Sequence, residues 1–162
     1  MQIVQEPKIL ILEDDPAQQT FYLKALRQRF GSLEIQSLST EEDFLIFLEK
    51  PFFTPLLVIL GNWQRFSNDS RSYDNRSSDS ENYDNLHPSL SGIRCCKALL
   101  NSELKSVPVL MYSVFDWDDY QEQIEENLPT LASDKSKFRY LTKDFNPGKL
   151  IKAIEEFVEI TN

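Results

Sequence analysis

The sequence predicts an α/β fold in which a five-stranded parallel sheet is covered by helices on both faces. Short apolar runs alternate along the chain with longer segments of helical periodicity, and this alternation is typical of units that form parallel sheets. The run Leu56–Leu60 has no polar alternation, which indicates a strand buried on both faces. Right-handed crossovers then bring the carboxyl ends of all strands to one edge of the sheet.

The predicted strands are short and mostly apolar. They are Lys8–Leu12, Leu33–Leu38, Leu56–Leu60, Val107–Tyr112 and Phe138–Thr142.

Helices are predicted between the strands and after the last one. Asp15 before Pro16 predicts the N-cap and first residue of a helix that has Phe21 among its inner positions. Ser39 with Glu42 predicts a capping box for the second helix. The other helices are predicted from Gly92 to about Leu104, over Asp116–Asn127 and after Asn146-Pro147.

The segment Ser67–Ser91, rich in Ser, Asn and Asp, interrupts this alternation after the third strand. Its few apolar residues cannot bury enough area to offset the entropy of ordering it. We interpret it as a mobile surface insertion within a single domain of residues 1–162, because neither flank can form a core alone.

Composition excludes several classes of function. The chain of 162 residues has 26 acidic and 17 basic side chains, giving a net charge of −9, which argues against nucleic acid and anionic membranes as partners. Its four glycines are scattered singly, so they cannot form the clustered cradle of a nucleotide-binding loop. No apolar run is long enough to span a bilayer.

Cys95 and Cys96 are adjacent and are the only cysteines. No disulfide framework is therefore expected, which favours the cytoplasm. Neighbouring residues of a helix face different ways, so we expect Cys96 to lie in the core and Cys95 to lie outside it.

Sites in parallel sheets lie beyond the carboxyl ends of the strands. Polar residues that follow the predicted strands there are Glu13, Asp14, Ser113 and Lys143, and Gly61 follows the third strand. This edge is therefore the predicted site.

Five segments in order, ILILEDDP, TPLLVIL, SGIRCCKAL, VPVLMYS and YLTKDFNPGKLIKAI, resemble the receiver domain of bacterial two-component response regulators. The resemblance covers about residues 8–160 apart from the insertion. It implies a flavodoxin-like (βα)5 three-layer sandwich with a long polar insertion after strand 3.

The resemblance also implies roles for residues at the strand ends. Glu13 and Asp14 match the acid pair that holds Mg²⁺ in the family, while Ser113 and Lys143 match the residues that bind phosphoryl oxygens. Tyr140 matches the aromatic residue on strand five that is coupled to the hydroxyl.

The sequence departs from the family at the phosphoacceptor position, which falls on Gly61. Glycine has no nucleophile, so aspartyl phosphorylation there is impossible, and any Mg²⁺ site is weak or vestigial because one carboxylate is missing. A structural ion pair of Asp14 with Lys143 is the alternative interpretation of the remaining charges. A further departure is Lys143-Asp144, where the family usually has Lys-Pro.

We therefore expect a stand-alone receiver-like signalling module that is not an enzyme and acts through protein contacts. Its partner is a sensor kinase, a downstream signalling protein or a second copy, and the contact face comprises Asp116–Asn127, Arg139–Thr142 and Asn146–Ile160. The alternative is a small doubly wound ligand-binding protein or enzyme that uses the same strand-end crevice. Phosphorylation of a serine in the insertion is a third possibility, left open by the sequence.

Overall fold

The computed structural model describes residues 8–31, 33–61, 91–144 and 146–161, with the side chains of the last helix described through Phe157. Its elements in chain order are β1 (Lys8–Leu12), α1 (Pro16–Arg29), β2 (Glu34–Leu38), α2 (Glu41–Glu49), β3 (Leu57–Leu60), α3 (Ser91–Leu100), β4 (Val109–Ser113), α4 (Trp117–Asn127), α5 (Pro129–Ala132), β5 (Phe138–Thr142) and α6 (Gly148–Thr161). The predicted alternation of strands and helices is confirmed.

All strands of the sheet are parallel and lie in the order β2-β1-β3-β4-β5. Leu12 of β1 is paired in register with Leu60 of β3, and Leu60 is paired with Met111 of β4. Because the register is direct, the residues that follow these strands lie side by side at one edge of the sheet.

Helices cover both faces of this sheet, which makes three layers. On one face, α2, α3 and α4 contribute Phe44, Ile93 and Ile124 to a buried cluster. On the other face, α1 and α6 contribute residues such as Leu26 and Phe157.

The predicted N-cap of α1 is confirmed, since the Asp15 carboxylate accepts a hydrogen bond of 2.9 Å from the backbone N–H of Ala17. The predicted cap of α2 is wrong by one residue. Thr40, and not Ser39, has the extended backbone of an N-cap, and its hydroxyl accepts from the N–H of Asp43 at 3.0 Å.

Two predicted orientations are also wrong. Phe21 is 50% exposed, because the inner face of α1 passes through its neighbours Tyr22 and Leu23. Cys95 is fully buried together with Cys96, because the first two turns of α3 are covered both by the sheet and by α2. The short helix α5, which begins at Pro129, was not predicted.

The predicted insertion Ser67–Ser91 lies outside the described residues except for its last residue. Ser91 is buried and is the first residue of α3. Among the helices that the structure describes, none is long and apolar enough to cross a membrane.

Candidate functional site

Glu13 follows β1 and lies at the centre of the strand-end edge, where it is only 4% exposed. Its backbone N–H donates to the carbonyl of Leu38 at 3.0 Å, which continues the pairing with β2. Its Oε1 accepts a hydrogen bond of 3.1 Å from the N–H of Asp15. The backbone therefore fixes both the position and the direction of this carboxylate.

The second carboxylate oxygen of Glu13 meets two side chains from other elements. Oε2 accepts a hydrogen bond from Lys143 Nζ at 2.6 Å and another from the hydroxyl of Tyr22 on α1. The alternative interpretation paired Lys143 with Asp14, and the structure shows an ion pair of Lys143 with Glu13. It joins β1 to the end of β5 across the width of the sheet.

Two aromatic rings surround the Lys143 ammonium. Nζ lies 5.8 Å from the centre of the Tyr22 ring and 5.5 Å from that of Tyr112, distances at which a ring face attracts a cation. The two rings pack edge to face at 5.6 Å. Burial and the adjacent Glu13 raise the pKa of the Tyr22 phenol far above its usual range, so that the hydroxyl remains a donor.

Ser113 and Tyr140 are linked through the backbone that follows β4. The Ser113 hydroxyl is buried and accepts from the N–H of Phe115 at 3.2 Å, while the Tyr140 hydroxyl donates to the carbonyl of Phe115 at 2.6 Å. Burial raises the pKa of Tyr140 to about 12. Its ring also lies 5.4 Å from that of Trp117, so Tyr140 joins β5 to the start of α4.

Lys143 is held at its backbone as well, because its N–H donates to the carbonyl of Ser113 at 2.6 Å. Asp144 stands where the resembled family usually has proline. Its carboxylate accepts from the N–H of Asn146 at 2.9 Å and pairs with Lys149 at 3.1 Å, and the contact with Lys149 is the main reason that its pKa is lowered. The chain thereby turns toward α6 without a proline directly after Lys143.

Gly61 is the residue directly after β3. Its backbone N–H donates to the carbonyl of Leu12 at 3.2 Å, so the register places it beside Glu13. The end of β3 therefore carries no nucleophile and no carboxylate at this position.

The strand-end edge around Glu13 does not fit a metal ion in this arrangement. Each carboxylate oxygen of Glu13 already accepts a hydrogen bond, and the ammonium of Lys143 lies where a cation would approach Oε2. Within the described ranges, no group of three His, Cys, Asp or Glu residues is placed to hold a metal. Asp14 lies half-buried at the same edge.

Sequence reasoning found Glu13, Ser113, Tyr140 and Lys143 but missed Tyr22 and Tyr112. The signal for Tyr22 was present, because residues 19, 22, 26 and 30 follow the three-and-four spacing of one helix face. Tyr112 looked like one more residue of an apolar strand, and nothing in the sequence showed that its ring lies beside Lys143.

Two cavities in the described part of the chain lie away from this edge. One of about 430 Å³ lies along α1 and is lined by residues such as Leu23 and Arg27. The other, of about 540 Å³, lies between α3 and the end of α4 beside Lys97 and Asn127. Neither is lined by the strand-end residues.

A parallel sheet in the order β2-β1-β3-β4-β5 with helices on both faces defines the doubly wound, flavodoxin-like class. No protein-family model matches the sequence, and no curated protein matches it. Comparison with solved structures is more specific, because several that resemble this chain over nearly its whole length are receiver domains. The chain has the receiver-domain fold.

Three of these structures illustrate the likeness. The receiver domain of the Francisella response regulator 1452 is 20% identical, has a TM-score of 0.58, and is matched over 96% of this chain and 99% of its own. A chemotaxis protein of Vibrio cholerae is 16% identical with a TM-score of 0.60, over 93% and 98%. The receiver domain of a sensor histidine kinase from Pseudomonas aeruginosa, described with magnesium coordinated in its active-site cleft, is 15% identical with a TM-score of 0.59, over 94% and 98%.

Proposed function

We propose that this chain is a receiver-like signalling module of the two-component type that acts through protein contacts without aspartyl phosphorylation. The observation that carries the proposal is the ion pair between Lys143 and Glu13, which lies beside Gly61 at the end of β3. In the resembled family, the corresponding lysine binds a phosphoryl group. Here its charge is neutralised by a neighbouring carboxylate.

The chemistry of position 61 supports this proposal. Phosphoryl transfer to a receiver requires a carboxylate oxygen as the nucleophile, and glycine offers none. The nearest buried carboxylate, that of Glu13, accepts hydrogen bonds at both oxygens. A nucleophile in that state is poorly placed for in-line attack on phosphorus.

The proposed contact face consists of α4, β5 and α6. No basic residue lies in α4 (Trp117–Asn127). Its exposed side chains include five carboxylates, which are Asp118, Asp119, Glu122, Glu125 and Glu126. Such a surface suits a protein partner that presents lysine or arginine side chains, because complementary charge speeds and orients association. Tyr140 fixes the adjoining edge of this face through its bond to Phe115.

A small-molecule phosphodonor tests the proposal. Wild-type protein is incubated with acetyl phosphate and Mg²⁺, and intact mass is measured before and after acid and hydroxylamine treatment. We expect no acid-labile phosphate. An acyl phosphate, sensitive to hydroxylamine, would contradict the proposal, whereas acid-stable phosphate would indicate serine chemistry elsewhere in the chain.

A matched pair of variants tests the contact face. Glu122→Lys with Glu125→Lys reverses charge on exposed positions of α4, while Glu42→Lys with Glu49→Lys makes the same change on exposed positions of α2. The first pair should weaken capture of a cognate sensor kinase or downstream protein, and the second should not. Equal effects would mean that binding follows net charge alone.

A further inference from the structure

Three donors from its own chain bond to the Glu13 carboxylate. A backbone N–H occupies Oε1, and a phenol and an ammonium share Oε2. A divalent metal needs direct access to carboxylate oxygens, with several oxygen ligands arranged around it. A metal that bound Oε2 of Glu13 here would first have to displace Lys143.

Lys143 is itself held on several sides. Its side chain is only 12% exposed, its Nζ lies 2.6 Å from Glu13, and two tyrosine rings lie within 6 Å of that nitrogen. Its backbone N–H is bonded to Ser113. Displacing this ammonium would break an ion pair in a poorly solvated place and would leave a buried carboxylate beside the rings.

We infer that the Lys143 ammonium is the resident cation of this edge and takes the place that Mg²⁺ would need at Glu13. The pair itself sums to zero charge, so the charge of Glu13 is balanced with neither metal nor phosphoryl group present. This inference deepens the proposed function, because it makes the α4-β5-α6 face independent of Mg²⁺. It also implies a latent site: without the ammonium, the Oε2 atom of Glu13 becomes available to a metal.

The test compares melting temperatures with Mg²⁺ and with NaCl at matched ionic strength, for four proteins. They are the wild type, Glu13→Gln, Lys143→Met and the double variant Glu13→Gln with Lys143→Met. Mg²⁺ should change the melting temperature of the wild type no more than that of Glu13→Gln. Lys143→Met should melt at least about 5 °C lower than the wild type, because its buried carboxylate has lost its partner.

Mg²⁺ should then recover a substantial part of that loss in Lys143→Met and none in the double variant, which lacks both the ammonium and the charged carboxylate. A Mg²⁺ response of the wild type that Glu13→Gln removes would overturn the inference. A Lys143→Met protein that folds and shows no Mg²⁺ response would overturn it as well. Should Lys143→Met fail to fold, the comparison of wild type with Glu13→Gln decides by itself.

The acetyl phosphate experiment separates this inference from the proposed function. A wild type that binds Mg²⁺ at Glu13 but takes up no phosphate refutes the resident cation and leaves the proposed function standing. Acyl phosphate formed in a protein without any Mg²⁺ response at Glu13 refutes the proposed function and leaves the resident cation standing.

Discussion

Arg94 on α3 and Glu41 on α2 form a bidentate ion pair, with Nε and Nη2 of Arg94 donating to the two oxygens of Glu41 at 2.9 Å each. Their side chains are 4% and 0% exposed. Glu41 is the first residue of α2, where the helix dipole favours a carboxylate. The pair therefore joins the beginnings of two neighbouring helices inside the core.

Arg94→Met should destabilise the protein by about 3–5 kcal/mol, because it leaves the buried Glu41 carboxylate without its cation. Chemical unfolding in urea, followed by circular dichroism, measures this change in the free energy of unfolding.

The double variant Arg94→Met with Glu41→Leu is the control. It removes both charges, so its loss should be clearly smaller than that of Arg94→Met alone. Additive losses would show that the two charges do not depend on each other.

Tyr140→Phe should lower stability by about 1 kcal/mol, because it removes the hydrogen bond to the Phe115 carbonyl. The ring remains in place against Trp117, so the change isolates the hydroxyl. Amide exchange of the residues after β4 should accelerate more than exchange in β1. Uniform acceleration across the sheet would mean that the bond does not hold this loop.

Gly61→Asp should destabilise the metal-free protein by about 1–3 kcal/mol, because it adds a carboxylate beside Glu13, whose charge Lys143 already neutralises. Mg²⁺ at millimolar concentration should recover part of this loss, because the added carboxylate offers the ion oxygen atoms that do not already pair with Lys143, and the ion binds the folded state. Melting temperatures with and without Mg²⁺ provide the measurement. Equal Mg²⁺ responses of variant and wild type would show that position 61 does not adjoin a metal-binding edge.

The fold could be predicted from the sequence because its signals are local. β1 and β5 were predicted with the residues that the structure gives them, and β3 and β4 differ by one or two residues at their ends. Apolar runs and capping residues act over a few positions, so they can be recognised without knowing the tertiary structure.

The site was only partly predictable, because the contacts of a side chain depend on the direction in which it points as well as on its position in the sequence. Glu13 and Asp14 are adjacent in sequence, and only the pairing of β1 with β2 turns Glu13 inward to meet Lys143. The burial of Glu41 and Arg94 was missed for the same reason. Two charged residues far apart in sequence carry no local sign that they will meet.

Stability should fall as the pH rises from about 9 to 12. Burial raises the pKa of Cys96 from 9.0 to about 12, and burial, Asp144 and Glu13 raise that of Tyr112 from 10.0 to about 12. A raised pKa in the folded protein means that the unfolded chain loses its proton first as the pH rises. The full stability is therefore present below the pKa of the unfolded state and is lost as the pH approaches the pKa of the folded state. Urea midpoints between pH 7 and 11 measure the effect, and Cys96→Ala should reduce its slope.

Cys95 and Cys96 should react with thiol reagents only when the protein opens. Both are fully buried, and burial raises both thiol pKa values, so thiolate is scarce and shielded at neutral pH. Labelling by a chromogenic disulfide at pH 8 should be slow in buffer and fast in urea. Rapid reaction of one thiol in buffer would contradict the burial of α3.

The sheet order has a consequence for how the chain folds. β1 pairs with both β2 and β3, so the first three strands can assemble from neighbouring parts of the sequence. Val58 of β3 must instead find Val109 of β4 across all the intervening chain. The entropy of closing that loop slows the joining of the two halves, although its logarithmic growth means that doubling the intervening length adds only about 0.6 kcal/mol. We therefore expect the pairing of β3 with β4 to be the slowest step of sheet assembly, and the apolar edge of β3 to be exposed to other molecules until it occurs.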